Sequence, residues 1–307
     1  MQAIETFDLT KYYNKLAAVK GVDLEIGQHR LFSLLGPNGA GKTTTINMLC
    51  CLLKPTAGTA QIMGYDITNE SFKVKELIGV SPQETAISER LNCLENLSLV
   101  GSIHNLSTEQ IRKRSIELVE LMGLTGREKD RVGTFSGGLK RRLSIAMALI
   151  HDPPIIFLDE PTLGLDPQAR RVMWQHIAQL KKGKTILLTT HYMEEADSLS
   201  DEIAIIDEGK IVASGTPNQL KKGLKSGTSA ILVEGKNITP EVIITLKSKY
   251  AEVNMIEGGL RISHQVLDFK ELTECLYSLG VTISSATLEQ PSLEDVFLQI
   301  TGKEYRD

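Results

Sequence analysis

The chain has 307 residues, enough for about two domains, and 41% of them are hydrophobic, with only 25 Gly and 10 Pro. Such a balance excludes a disordered or fibrous chain and leaves ample material for a core. The formal charge of −4 is evenly spread, with 10 Lys/Arg against 12 Asp/Glu from residue 221 onward, so the broad basic footprint of a dedicated nucleic-acid binder is missing.

At the N-terminus, Met1-Gln2-Ala3-Ile4-Glu5 lacks the basic and apolar regions of a signal peptide. Ile4-Glu5-Thr6-Phe7-Asp8-Leu9 and Val22-Asp23-Leu24-Glu25-Ile26 alternate as half-buried strands do, and Leu31-Phe32-Ser33-Leu34-Leu35 is a buried run. The segment 36–41 interrupts it, and 42–53 reads as a helix ended by Lys54-Pro55. Residues 92–122 read as largely helical, and 138–150 as another helix stopped by Asp152-Pro153-Pro154. The runs 155–158 and 185–189 look like buried parallel strands, separated by a helix that starts at Pro167. Alternation of this kind implies an α/β core with a parallel sheet. Every apolar stretch is strand-sized, well short of the 18 or so residues that cross a bilayer. Cys50, Cys51, Cys93 and Cys275 show no CxxC spacing, which fits a reducing, cytosolic setting with each Cys as a small core hydrophobe.

After about residue 220 the rhythm changes. Strands at 229–233, 252–256, 260–263 and 281–287, with helices at 240–250 and 267–279, give the order β-α-β-β-α-β, the split βαβ pattern. A last helix, 292–300, follows. The polar, Gly-containing join Lys221-Lys222-Gly223-Leu224-Lys225-Ser226-Gly227 places the domain boundary there.

Chemistry concentrates in three places. Gly36-Pro37-Asn38-Gly39-Ala40-Gly41-Lys42-Thr43, followed by Thr44, is a GxxxxGK[ST] motif directly after a buried strand and opening a helix. Its glycines let backbone N–H groups turn inward on phosphate oxygens, while Lys42 reaches the outer phosphates and Thr43 holds Mg²⁺. The competing reading, a glycine turn before an ordinary capped helix, does not explain the strand–loop–helix context. Second, Asp159-Glu160 ends the strand 155–158, where α/β sheets place their ligands. Asp159 suits the same Mg²⁺. Glu160 suits a general base that orients water, and Pro161 should restrict its backbone to the extended region. Alone, such an acidic pair reads as a turn signal; beside a phosphate-binding loop it reads as catalytic. Third, Ser136-Gly137-Gly138 caps a helix whose first turn carries Lys140, Arg141 and Arg142. Three cations there oppose the helix dipole, and an anion at that end would resolve the conflict. The bland alternative is a solvated basic turn.

Together these segments resemble the nucleotide-binding domain of ATP-binding-cassette (ABC) proteins, with Ser136-Gly137-Gly138 in the family's signature position, 23 residues before Asp159. The resemblance covers residues 1–220. It implies a P-loop NTPase core with a parallel sheet, an N-terminal antiparallel β subdomain and an inserted helical subdomain at about 85–150. A small C-terminal ferredoxin-like α+β domain, accessory or regulatory, would follow at 228–307. It implies further roles too: Tyr13 stacks on adenine, with Tyr12 as a substitute, and Gln83 senses Mg²⁺ and the γ-phosphate. Asp166, also explained as a helix N-cap, belongs to the D-loop Leu163-Gly164-Leu165-Asp166, and His191 is the switch histidine. Catalysis would fall to Lys42, Gln83, Glu160 and His191, and Mg²⁺ to Thr43, Gln83 and Asp159. ATP would sit on Tyr13, Asn38, Gly39, Ala40, Gly41, Lys42, Thr43 and Thr44, facing Ser136, Gly137, Gly138 and Asp166 of a second copy. The family's commoner signature is Leu-Ser-Gly-Gly-Gln; Phe135 and Leu139 depart from it here.

The ending Pro291-Ser292-Leu293-Glu294-Asp295-Val296-Phe297-Leu298-Gln299-Ile300-Thr301-Gly302-Lys303, with Leu53-Lys54-Pro55-Thr56-Ala57-Gly58 and Gly64-Tyr65-Asp66-Ile67, is similar to daunorubicin-resistance-type ATPase subunits of exporters. That likeness implies ATP-driven export through a separate transmembrane permease subunit, a head-to-tail homodimer on ATP binding, no nucleic-acid partner, and a cytoplasmic place on the inner face of the cell membrane. The permease would dock on the helical segment 85–130. A soluble, non-transport ABC ATPase acting on nucleic acid or ribosomes is the alternative, disfavoured by the missing second P-loop, heptad insertion and CxxC pairs.

Overall fold

A computed structural model describes residues 2–223, 229–250, 252–256, 258–264, 268–289 and 291–302. The chain divides into two compact units, one running through Pro217 and the other starting at Asn218.

The first unit opens with a hairpin of β1 (Gln2–Tyr13) and β2 (Leu16–Gly27), turned at Asn14 in the left-handed conformation (φ 53°) that asparagine tolerates. Next come β3 (Leu31–Leu35), α1 (Lys42–Leu49), β4 (Ala57–Ile62), β5 (Tyr65–Asp66), α2 (Ser71–Leu77) and β6 (Ile78–Ser81). Helices α3 (Cys93–Ile103), α4 (Thr108–Leu121) and α5 (Gly137–Ala148) precede β7 (Ile155–Asp159), α6 (Pro167–Leu180), β8 (Thr185–Thr190), α7 (Met193–Leu199), β9 (Glu202–Asp207) and β10 (Lys210–Gly215). One sheet is antiparallel, in the order β2-β1-β4-β5. The other runs β10-β9-β3-β8-β7-β6, parallel from β9 to β6.

Both faces of the parallel sheet are covered, so its strands are apolar without a break. Along β7 the side chains alternate between two cores. Ile155 and Phe157 join Ile4, Ile26, Ile46 and Met48 under the antiparallel sheet and α1, whereas Ile156 and Leu158 join Leu97, Leu118, Leu143 and Ile177 from the helices. Among the described residues no helix is long and apolar enough to cross a membrane.

Several boundaries differ from the sequence expectation. The helix expected over 42–53 stops at Leu49, because Cys51 turns left-handed (φ 56°) and the amides of Leu52 and Leu53 fold back onto the Asn47 carbonyl. The helical stretch 92–122 is two helices, each with its own capping box, Asn92 with Glu95 and Ser107 with Gln110. Residues 57–81, whose periodic segments are too short to predict, fold as β4, β5, α2 and β6.

After α8 (Pro217–Lys222), the second unit contains β11 (Ser229–Lys236), α9 (Pro240–Lys249), β12 (Glu252–Ile256), β13 (Gly259–His264), α10 (Phe269–Ser278), β14 (Thr282–Glu289) and α11 (Leu293–Thr301). Its sheet is antiparallel, in the order β12-β13-β11-β14. Each βαβ unit is therefore split by an intervening strand, the ferredoxin-like arrangement. Ile231, Val233, Leu260 and Ile262 pack against Val242, Leu246, Leu272 and Leu276 of α9 and α10. Of the join expected at 221–227, residues 224–227 lie outside the described residues, as does Lys303 of the tail motif.

Candidate functional site

The loop after β3 is shaped by glycine. Gly41 holds φ 106°, and a Cβ there would meet the Ala18 carbonyl oxygen at 2.5 Å. Helix α1 begins immediately after it with no side-chain cap, so its first N–H groups face the loop. Lys42 is buried at 5% exposure, and its ammonium donates to the carbonyls of Gly36 (2.6 Å) and Pro37 (3.1 Å) and pairs with Glu160 Oε1 at 3.0 Å. Asn38, Gly39 and Thr43 are exposed on the rim, Thr44 is half-buried, and Ala40 is buried, its N–H donating to the Pro37 carbonyl.

At the end of β7, Asp159 Oδ1 accepts from the Thr189 hydroxyl (2.5 Å) and from the Thr43 hydroxyl (3.3 Å). These are hard oxygen donors of the kind Mg²⁺ takes in phosphate sites, where one or two protein groups suffice. Glu160 Oε2 accepts from His191 Nδ1 at 2.7 Å, and both residues are buried. Burial pushes the Glu160 carboxyl up, but the His191 hydrogen bond and the Lys42 charge outweigh it and hold the group below the usual glutamate range. The extended backbone expected before Pro161 is not found: Glu160 has φ 48°. Long-range bonds override the local preference. The Glu160 N–H donates to the Thr189 carbonyl and hydroxyl on β8 (3.2 and 3.0 Å), and its own carbonyl accepts from Arg141. Strain of this type clusters at functional sites.

Ser136 caps α5 by accepting from the Leu139 N–H at 3.4 Å. Ser136, Gly137 and Gly138 line a cavity of about 340 Å³ with Gly164, Leu165 and Asp166, and Asp166 in turn caps α6 through the Ala169 N–H. The three cations of that first turn need no external anion. Lys140 pairs with Glu89 at 2.5 Å, Arg141 is buried against backbone carbonyls, and Arg142 donates to the carbonyls of Met122 and Gly123 just beyond α4. The dipole conflict is relieved within the chain.

The fold thus joins Lys42, Thr43, Asp159, Glu160 and His191 in one hydrogen-bonded cluster. Ser136, Gly137, Gly138 and Asp166 share a separate cavity, and among the described residues no hydrogen bond links them to Lys42 or Glu160. Gln83 lies exposed in the loop after β6, held there through its carbonyl by Arg141 at 3.1 Å. Tyr13 and Tyr12, at the end of β1, are about half exposed, with Lys11 Nζ 5.6 Å from the Tyr13 ring.

Thr189, Arg141 and Glu195 escape sequence reasoning. Thr189 stands two residues before His191 and braces both acidic residues, which its place at a strand end could have signalled. Glu195, four residues after His191, is fully buried and accepts from the Thr162 hydroxyl (2.8 Å) and Trp174 Nε1 (3.0 Å); burial pushes its carboxyl up.

Residues 19–163 match the ABC transporter family. The chain is 39% identical to the daunorubicin/doxorubicin resistance ATP-binding protein DrrA of Streptomyces peucetius, over 98% of this chain and 93% of that one. It is 37% identical to the linearmycin resistance ATP-binding protein LnrL of Bacillus subtilis (strain 168), over 99% and 100%. With the Nod factor export ATP-binding protein I of Cupriavidus metallidurans it shares 38%, over 98% and 97%. Among solved structures, it is similar to an ATP-binding subunit of an ABC transporter (TM-score 0.65, 29% identity, 72% of this chain and 92% of that one). A dimeric ATP-binding cassette in a post-hydrolysis state bound to ADP and Pi is also similar (TM-score 0.64, 28% identity, 69% and 98%).

Proposed function

The chain belongs to the ABC transporter family as an ATPase of the daunorubicin-resistance type, and on that premise we propose that it powers export through a separate membrane-spanning partner. The observation that carries this reading is the buried chain of contacts from Lys42 to Glu160 to His191 at the mouth of a phosphate-binding loop. ATP places its phosphates over the loop from Asn38 to Thr44, with the N-terminus of α1 and Lys42 opposing their charge. Tyr13 carries the adenine. The hydroxyl of Thr43, the carboxylate of Asp159 and the side chain of Gln83 would hold Mg²⁺, which would neutralise phosphate charge. Glu160, ionised and aimed by His191 and Thr189, accepts a proton from the attacking water. Catalysis is therefore positioning and electrostatics around the transferred phosphoryl group.

Among the described residues no hydrogen bond links Ser136, Gly137, Gly138 or Asp166 to Lys42 or Glu160. A second copy, arranged head to tail, supplies Ser136, Gly137, Gly138 and Asp166 across each bound ATP. ATP then draws two copies together and hydrolysis releases them, moving the partner. The partner docks on the helical segment 85–130, which keeps the ATPase on the cytoplasmic face of the membrane.

Purification of the tagged chain from native membranes tests this reading. A polytopic membrane protein should co-purify, and its reconstitution in vesicles should raise ATP turnover severalfold. Stimulation by RNA or DNA, with none by the membrane partner, would instead favour a non-transport ATPase.

A further inference from the structure

Arg141 is the second cation after Gly138, a place where local pattern suggests a solvated side chain. Instead it is 5% exposed, and all five N–H donors of its guanidinium point at backbone carbonyls. Nε donates to Pro161 (3.1 Å). Nη1 donates to Pro82 and to Gln83 (3.1 Å). Nη2 donates to Asp159 and to Glu160 (2.7 Å). Burial pulls the guanidinium pKa down to about 10, while Asp159, Glu195 and Glu160 push it back, so it is charged at neutral pH.

The carbonyls belong to two loops. β6 and β7 are adjacent and parallel, paired from Ile78 with Ile155 to Ser81 with Leu158, so the loops that follow them leave the sheet side by side. One carries Gln83; the other carries Asp159 and Glu160. Only a planar fork with five donors satisfies both at once. A lysine offers three donors from a single point. Glu160 is also the residue whose backbone is left-handed, and that conformation is pinned from one side by Thr189 and from the other by Arg141.

We propose that Arg141 is a positioning residue that locks the loop carrying Gln83 to the backbone of Glu160, so that neither loop moves without the other. The inference rests on Glu160 being the general base. Among the described residues no hydrogen bond or ion pair joins Arg141 to Lys42 or Thr43, so nucleotide binding is separable from its action. A displacement of residues 82–83 is delivered to the base as a shift of its backbone, and misplacement by about 1 Å costs on the order of 100-fold in rate.

The test measures kcat, KM and the Kd for MgATP in Arg141→Lys and Arg141→Gln, with thermal unfolding to confirm the fold. Both variants should lose at least about 30-fold in kcat while the Kd stays within about threefold. The Lys variant should fail although it retains the charge. A kcat within threefold of wild type in either variant overturns the proposal, as does a parallel loss of MgATP binding. Native-state hydrogen exchange of the unaltered protein is the second measurement and decides the matter if neither variant folds. The Arg141 Nη1–H protons, bonded to the loop of Gln83, and the amides of Glu160 and Leu163 in the other loop should open with one common free energy, and independent opening of the two loops overturns the coupling. Glu160→Gln separates the two levels of inference. If it turns over normally, the general-base reading has failed; if it is inactive while the Arg141 variants hydrolyse ATP like wild type, only the positioning role has.

Discussion

Replacing Glu160 with Gln removes the proposed base without removing the shape around it. The carboxylate lies 3.0 Å from Lys42 Nζ and 2.7 Å from His191 Nδ1, at 4% exposure. An amide oxygen can still accept from one of these donors, so the local geometry persists, but it is a poor proton acceptor. Loss of a catalytic base costs about 10²–10⁴ in rate, equivalent to about 2.7–5.4 kcal/mol of barrier. The structural cost is smaller. Exchanging charge-assisted hydrogen bonds for neutral ones costs about 1–2 kcal/mol, within the 5–15 kcal/mol by which domains are typically stable. Binding moves the other way, because Glu160 shares the Lys42 ammonium with Gly36 and Pro37 and its negative charge repels phosphate. The variant should therefore bind MgATP as tightly as wild type or more tightly, while phosphate release at saturating ATP falls at least 100-fold. Turnover within tenfold of wild type, or loss of MgATP binding, would refute the assignment.

Two further outcomes are expected. Lys42→Ala and Ser136→Arg should each inactivate a homodimer, yet an equal mixture should recover roughly a quarter of wild-type turnover, since about half the dimers pair one intact loop with one intact signature; placing both substitutions on one chain and mixing it with wild type should yield heterodimers with no intact site, and equal activity in the two heterodimers would remove Ser136 from the interface. Glu195 has its carboxyl raised by burial, so the folded chain binds its proton more tightly than the unfolded chain, and that contribution to stability is present below about pH 4.5 and lost as pH rises through the folded pKa. Denaturant unfolding of Glu195→Gln should therefore show its stability gaining on wild type between pH 5 and 8, and a constant difference would show that Glu195 does not titrate on unfolding.

What was legible in the sequence follows from how local each signal is. The phosphate-binding loop is read from Gly41 and its neighbours because a left-handed backbone at the mouth of a helix is a property of a few consecutive residues. The caps at Ser136 and Asp166 are local in the same sense. The second unit's order was readable from alternating segments, since its edge and centre strands differ in pattern over only five to eight residues. Two boundary errors are just as local: the turn at Cys51 folds the chain back onto Asn47, and the Ser107–Gln110 capping box divides a stretch that apolar periodicity leaves continuous, signals within six residues that the periodicity masks.

The same distinction separates the groups proposed to do chemistry from those that hold them. Asp159, Glu160 and His191 announce themselves by standing at strand ends beside a phosphate loop, but their braces come from elsewhere. Pro161 argues locally for an extended Glu160, and it loses to Thr189, about thirty residues on, and to Arg141, about twenty residues back. A pre-proline preference acts on one residue, whereas two hydrogen-bonded anchors on opposite sides of the peptide act together, and a left-handed residue costs only on the order of 1–3 kcal/mol. Two anchors of about 1 kcal/mol each, one of them strengthened by the Arg141 charge, are enough to hold it. The basic run after Gly138 is then not a surface feature that happens to sit near a catalytic loop: its middle residue is the donor that makes the loop's unfavourable backbone affordable.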